Sequence, residues 1–239
     1  AGDDMDAPFA RRPGARRGLN RFVWDLKYPG PTKLDPALRT QKYKPFANED
    51  EGPAGPTVVP GSYTAVLEVA GAEQSAGFEV VKDPRLSTTP EAYAEQFELL
   101  HELTGTLSAL NVAVNRIRLA KRQLAEFRGR PGGDLGELRE RAGGLIDRLT
   151  AIEAVLVDVK RESPRDVLRH PAGLNDTLVD LISTAAIADA APPQQAREVS
   201  DEIAGRVRGL IAELDALLAG DVADLNKALT AAGVPLVGA

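Results

Sequence analysis

From Glu91 onward, apolar residues recur every third or fourth position for well over a hundred residues, and this pattern restricts the chain more than any other feature. Leu100, Leu103, Leu107, Leu110, Val114, Ile117 and Leu124, with Lys121 completing the register, form such a series. Leu135, Leu138, Ala142, Leu145, Leu149, Ile152, Leu156 and Val159 form a second. A 3,4 spacing places side chains on one stripe of an α-helix and suits a narrow coiled-coil seam. Thr88 or Thr89 followed by Pro90 and Glu91 is a helix start, with a hydroxyl cap, proline in the first turn and an acid at the positive end of the dipole. Arg130-Pro131-Gly132-Gly133 breaks the first helix, and Asp134 is the cap candidate of the second. Ser163-Pro164 and Pro171 break the second, Leu174, Leu178, Leu181 and Ile182 mark a shorter third, and Ala191-Pro192-Pro193 ends it. Val199, Ile203, Val207, Leu210, Leu214, Leu217 and Leu225 carry a fourth that closes near Asn226. Four helices joined by short breaks predict an up-and-down four-helix bundle with long helices over residues 89–230, with a tail at 231–239.

The amino-terminal part follows a different period. Residues 1–18 are a Gly-, Pro-, Asp- and Arg-rich extended lead-in, and Arg11, Arg12, Arg16, Arg17 and Arg21 fall in or beside it as solvated linker charges. In Leu19-Asn20-Arg21-Phe22-Val23-Trp24-Asp25-Leu26, the residues Phe22, Trp24 and Leu26 alternate with their neighbours, as in a strand with one apolar face. Val59-Pro60-Gly61-Ser62 reads as a type II turn with positive φ at Gly61. Alternation resumes at Tyr63, Ala65, Leu67 and Val69, and after a turn near Gly71 it continues through Phe78 and Val80. Residues 19–86 are therefore expected to form a small antiparallel β-sandwich with a core of Phe22, Trp24, Tyr63, Leu67, Val69, Phe78 and Val80, which makes the fold class α+β. Within it, residues 27–57 form a long loop in which Tyr28, Tyr43 and Phe46 are anchoring aromatics and candidate interaction residues.

Composition and motifs narrow the function. The net charge of -6 lies beyond Thr88, opposite in sign to a nucleic-acid binder. No apolar run reaches the roughly 20 residues needed to span a bilayer. The absence of cysteine removes disulfides and thiolate chemistry. Glu98-Leu99-Leu100-His101 has the Glu-x-x-His spacing of di-iron bundles, but Val167-Leu168-Arg169-His170 supplies no matching glutamate, so no metal site is expected. Nucleophile elbow and phosphate loop are both missing, and no catalytic residue or cofactor is expected. The stretch from Asn111 to Gln123 carries Asn115, Arg116, Arg118, Lys121 and Arg122. Salt bridging within the bundle is its leading explanation; as an interaction surface, Arg116, Arg118 and Arg122 would dock an acidic partner.

The run Gly18 to Leu26, Tyr28-Pro29, Val59-Pro60-Gly61-Ser62-Tyr63-Thr64 and Lys82-Asp83-Pro84-Arg85 resembles the carboxyl-terminal region of bacterial sortilin-like, BNR/WD-repeat-type propeller proteins often labelled glycosyl hydrolases. The resemblance continues through Gln96-Phe97, Asn111 to Arg118, Ala191-Pro192-Pro193 and Leu225-Asn226. The Trp-Asp and Pro-Gly-x-Tyr signals are similar to the immunoglobulin-like domain of flagellar hook-capping proteins. The resemblance implies an Ig-like first unit, a propeller region upstream of this chain, export from the cytoplasm to an extracytoplasmic or secreted location, and no catalytic residues in this portion. This sequence lacks every propeller repeat, so no functional residue is carried over. The expected role is a non-catalytic protein-interaction module whose partner is the upstream propeller region or a second copy. The alternative is a carbohydrate-binding or glycoside-hydrolase-associated domain in which the loop tyrosines contact a glycan.

Overall fold

A computed structural model describes residues 14, 16–39, 52–130, 135–163 and 170–234. It is α+β. After a 3-10 turn at Pro36–Leu38, strands β1 (Gly61–Val69) and β2 (Ala72–Val80) form a two-stranded antiparallel sheet. Among the described residues four helical runs follow: α1 (Pro90–Gly129), α2 (Gly136–Leu156), α3 (Leu174–Ala185) and α4 (Gln194–Leu217). The last passes through a π-helical turn at Leu218–Val222 into α5 (Ala223–Ala231).

Helix α1 starts as its sequence dictates. Thr89 is extended and its hydroxyl accepts from the Ala92 amide, Pro90 opens the first turn, and Glu91 lies at the positive end of the dipole. Every apolar member of the expected first series is buried. The narrow seam is nevertheless corrected: Leu99, Ala113, Ala120 and Phe127 are buried as well, so apolar contact wraps most of the helix. The physical reason is position, because α1 packs against α2, α3 and α4 together and a seam suits only one neighbour. In α2, Ala142, Leu145, Leu149, Ile152 and Leu156 are buried, and Leu135, Leu138 and Val159 pack at the core margin. The fourth helical run extends past Asn226 to Ala231, and Val199, expected inside, is exposed.

The amino-terminal part departs further from expectation. Among the described residues there is one sheet, of two strands, and no second layer of strands. Residues 19–26 carry the strand-like alternation but belong to no strand; the sole bridge there is Lys27 with Thr57. Leu26, which ends this stretch, takes φ of 61°, in the left-handed region that its side chain disfavours. Gly61 is not among the glycines with positive φ; it is the first residue of β1, which corrects the type II turn. The turn near Gly71 is where the spacing put it. Ala70 and Gly71 both have positive φ, 51° and 81°, between the paired Val69 and Ala72, the pattern of a type I′ hairpin.

Among the described residues, one cluster of charged side chains lies within the helical core. The Glu153 carboxylate accepts from Arg118 Nε at 2.7 Å and from Lys121 Nζ at 2.8 Å, with the Arg118 and Glu153 side chains 1% and 0% exposed. Lys121 is thus the polar member of the α1 series, placed where it meets a buried acid on α2. Among the described residues no helix is long and apolar enough to cross a membrane.

Leu149 is fully buried at the α1–α2 contact. Leu149→Ala is expected to cost about 2–5 kcal/mol in chemical denaturation; a change within error would contradict the assigned core.

Candidate interaction surface

The hairpin places its side chains by the period of two. On one face lie Tyr63, Ala65, Leu67 and Val69 from β1, opposite Phe78, Ala76, Gln74 and Ala72 from β2. At the base of this face the Trp24 indole meets Tyr63 and Phe78 edge-on, each at 6.1 Å between centroids, and Tyr63 stacks on Phe78 at 5.9 Å. The indole N–H donates to the Lys27 carbonyl, and the Tyr63 hydroxyl donates to the Val59 carbonyl. Burial pushes the Tyr63 phenol above its ordinary pKa, helped by the nearby Tyr28. Three of the seven expected sandwich residues therefore do meet. Phe22 is half exposed, and beyond Tyr63 and Phe78 the face is open, with Leu67 at 51% and Val69 at 60% exposure.

The other face is mainly polar, with Val66 exposed in its middle. Glu68 stands directly opposite Glu73, and Glu79 opposite Ser62. Neither outer edge of the sheet carries a proline or lysine within its strand, although such residues usually blunt a free edge.

Residues 26–39 hold this unit to the helices. Tyr28 N donates to the Pro56 carbonyl and Val58 N to the Leu26 carbonyl. Gly55 has to be glycine, because a Cβ there would lie 2.1 Å from the Tyr28 carbonyl oxygen and 2.4 Å from that of Pro29. Further on, a row of short polar side chains on α1 reads the backbone of the strap. Thr32 N donates to Ser108 Oγ at 3.0 Å, and Asn111 Nδ2 donates to the Thr32 carbonyl at 2.7 Å. Asn115 takes both sides of the next step, donating to the Lys33 carbonyl at 3.0 Å and accepting from Asp35 N at 2.8 Å. Asn175 of α3 donates to Asn111 Oδ1 at 2.7 Å and so fixes that amide from behind.

A cavity of about 390 Å³ lies where the hairpin base, the Pro53–Pro60 segment and α1 and α3 converge. Leu26, Val58, Val80, Phe97, Leu100 and Ile182 form its apolar lining. Beside it the Tyr93 hydroxyl meets Asp189 at 3.4 Å; desolvation, then the Asp189 charge, raises the Tyr93 pKa.

The structure separates the expected interaction residues. Tyr28 packs on Phe97 at 5.0 Å, and Phe97 stacks on His101 at 5.8 Å, so Tyr28 anchors the strap with part of its ring in solvent. Tyr43 and Phe46 lie outside the described residues. Arg116 pairs with Asp215 of α4 at 2.8 Å. Arg118 is corrected: its guanidinium is buried against Glu153 and presents nothing to a partner. Arg122 is exposed. The Asn111–Gln123 stretch is therefore mainly internal, serving the strap and the buried ion pair. Sequence reasoning missed Ser108 and the role of Asn111 and Asn115. The available signal was three short polar residues at helical spacing inside an aliphatic run. Among the described residues, no group of three or more His, Cys, Asp or Glu side chains is placed to hold a metal ion.

No protein-family model, no curated protein and no solved structure matches this chain.

Gly55→Ala forces the strap away from residues 55–56. Overpacking of this kind costs about 1–3 kcal/mol, and faster hydrogen exchange at Tyr28 and Val58 in the variant is the expected signature; unchanged exchange would show that the close approach does not hold the strap.

Proposed function

We propose that this chain is a non-catalytic protein-interaction module, with the hairpin as its contact surface and the helices as its support. One observation carries the reading. Beside a helical core in which some thirty apolar side chains are buried, the nine-residue-per-strand hairpin shows Leu67 and Val69 to solvent on one face. A lone two-stranded sheet is marginal in water, whereas three or more strands with a covered apolar face are stable. The open half of the face and the bare edges are the features that a second β layer would complete, giving the Ig-like sandwich expected from the sequence. On this reading the helices run up and down as a four-helix bundle, and the strap along α1 fixes the hairpin's direction relative to them.

The resemblance to the carboxyl-terminal region of propeller proteins supplies one candidate partner, the propeller region of such a protein, with an extracytoplasmic location. The carbohydrate-binding alternative rests on Tyr28, whose ring is already engaged with Phe97.

Pull-down of a separately produced propeller region by the immobilised chain is the test, run alongside a glycan array. Binding that weakens about tenfold or more in Leu67→Glu, with no glycan retained, is the expected result; burying an uncompensated charge at a contact costs at least the roughly 1.4 kcal/mol this requires. Reproducible glycan binding abolished by Tyr28→Ala would replace this reading with the alternative.

A further inference from the structure

We infer that the cavity between the hairpin base and helices α1 and α3 is a binding site for a small amphipathic amine, with the apolar body of the ligand inside and its ammonium at the mouth beside Asp189. This site is separate from the open hairpin face, so it adds to the contact surface proposed above and does not depend on it.

Size and lining admit a ligand. At about 390 Å³ the cavity falls within the roughly 300–1,000 Å³ of small-molecule pockets, which are apolar with a few convergent polar groups. Val58, Leu100 and Ile182 are buried in its wall. Val81 and Asp189, also in the lining, are exposed, so the cavity is apolar within and opens to solvent on their side.

Hydrogen bonding selects the kind of ligand. Tyr93, Gln96 and Thr104 of α1 and Ser183 of α3 are the polar side chains that these helices bring to the lining, and each has its hydrogens committed within the protein. The Tyr93 hydroxyl donates to Asp189, and the Gln96 amide donates to the Ala185 and Ala188 carbonyls. Thr104 and Ser183 donate to the Leu100 and Val179 carbonyls one turn earlier. What these four groups still offer is oxygen lone pairs. On the opposite wall Pro53, Pro56 and Pro60 have no N–H, and the Val58 N–H is given to the Leu26 carbonyl. A ligand carrying only acceptors would set oxygen against oxygen, whereas an ammonium brings three donors.

Charge selects the same sign. Asp83 is paired with Arg85, which leaves Asp189 as the lining carboxylate without an ion pair among the described residues. Desolvation, then the charges of Asp189 and Asp83, push up the Tyr93 pKa against a lowering hydrogen bond with Thr88, and no cation counters the two carboxylates at that hydroxyl. Helix α3 ends at Ala185, so its electronegative end forms the wall at Ile182, Ser183 and Ala186. The positive end of α1 is capped by Thr89 and lies outside the lining. Two lysines stand on the hairpin side: the Lys82 ammonium donates to the Thr88 carbonyl at 3.0 Å, and Lys27 is exposed. Because Asp189 is exposed, an ammonium beside it keeps part of its hydration, and the cost of burying a full charge is avoided.

The test is a nuclear magnetic resonance titration of the full chain with hexylamine, hexan-1-ol and hexanoate, which share a tail and differ in the head group. At neutral pH hexylammonium is expected to shift the amides of Gln96, Ala186 and Asp189 saturably and to bind at least about tenfold more tightly than hexanoate, the least that one charge-assisted hydrogen bond implies. Asp189→Asn is expected to weaken hexylammonium binding by about tenfold or more on the same ground, with hexan-1-ol binding and helical circular dichroism unchanged. The absence of a saturable shift up to about 100 mM amine, beyond the dissociation constant that even a low ligand efficiency gives a molecule of this size, would overturn the inference. So would equal affinity for hexanoate, shifts confined to residues away from the cavity, or full affinity in Asp189→Asn.

Discussion

The burial of α1 on most of its circumference is the constraint on which the rest of the molecule depends. A helix that presents Leu99, Leu103, Leu107, Leu110, Ile117 and Leu124 at 1% exposure or less needs neighbours on several sides, and α2, α3 and α4 are those neighbours. Their own stripes are sealed by the same contacts, so the four pieces stabilise one another through apolar burial. Within this dry interior the Arg118–Glu153–Lys121 group is hydrogen-bonded. Such a group contributes little net stability over an apolar replacement, but it is costly to break, and it ties α2 to α1 through two charged hydrogen bonds.

The same helix also organises the amino-terminal part. Ser108, Asn111 and Asn115 lie along α1 and bond the main chain of Thr32, Lys33 and Asp35, so the strap is held through its backbone. Gly55 permits the close approach of residues 55–56 to 28–29, and from there the chain leads directly into β1. The direction of the hairpin is thus set by contacts that begin on the rigid helix. An exposed apolar sheet face on such a mount is presented, which is what a contact surface requires.

Legibility followed the number of neighbours each residue has. In α1 and α2 the period of 3.6 and the proline and glycine breaks are local signals, and Thr89, Pro90 and the buried leucines stand where the spacing put them. The extra burial of Leu99, Ala113 and Phe127 was not legible, because the number of helices packed around α1 is a tertiary fact. For the hairpin, alternation and Gly71 located the strands and the turn. The strand expected at Phe22, Trp24 and Leu26 failed because alternation says which way side chains point and is silent on whether another strand lies alongside. Arg118 was misassigned since a basic residue on a long helix is usually solvated, and only the position of Glu153 on α2 makes its burial tolerable. The asparagine row was visible as composition, yet its use depends on a strap some 80 residues earlier in the chain.

Amide hydrogen exchange of the isolated chain addresses the central claim most directly, because it measures burial and independence element by element. Amides from Leu99 to Leu124 should exchange slowest of all, at the rate of global unfolding, while those of Leu67, Val69 and Gln74 exchange orders of magnitude faster in dilute solution. Fast exchange along the middle of α1, or hairpin amides as protected as the helix in a dilute monomer, would contradict a molecule built on that helix and carrying an uncovered sheet.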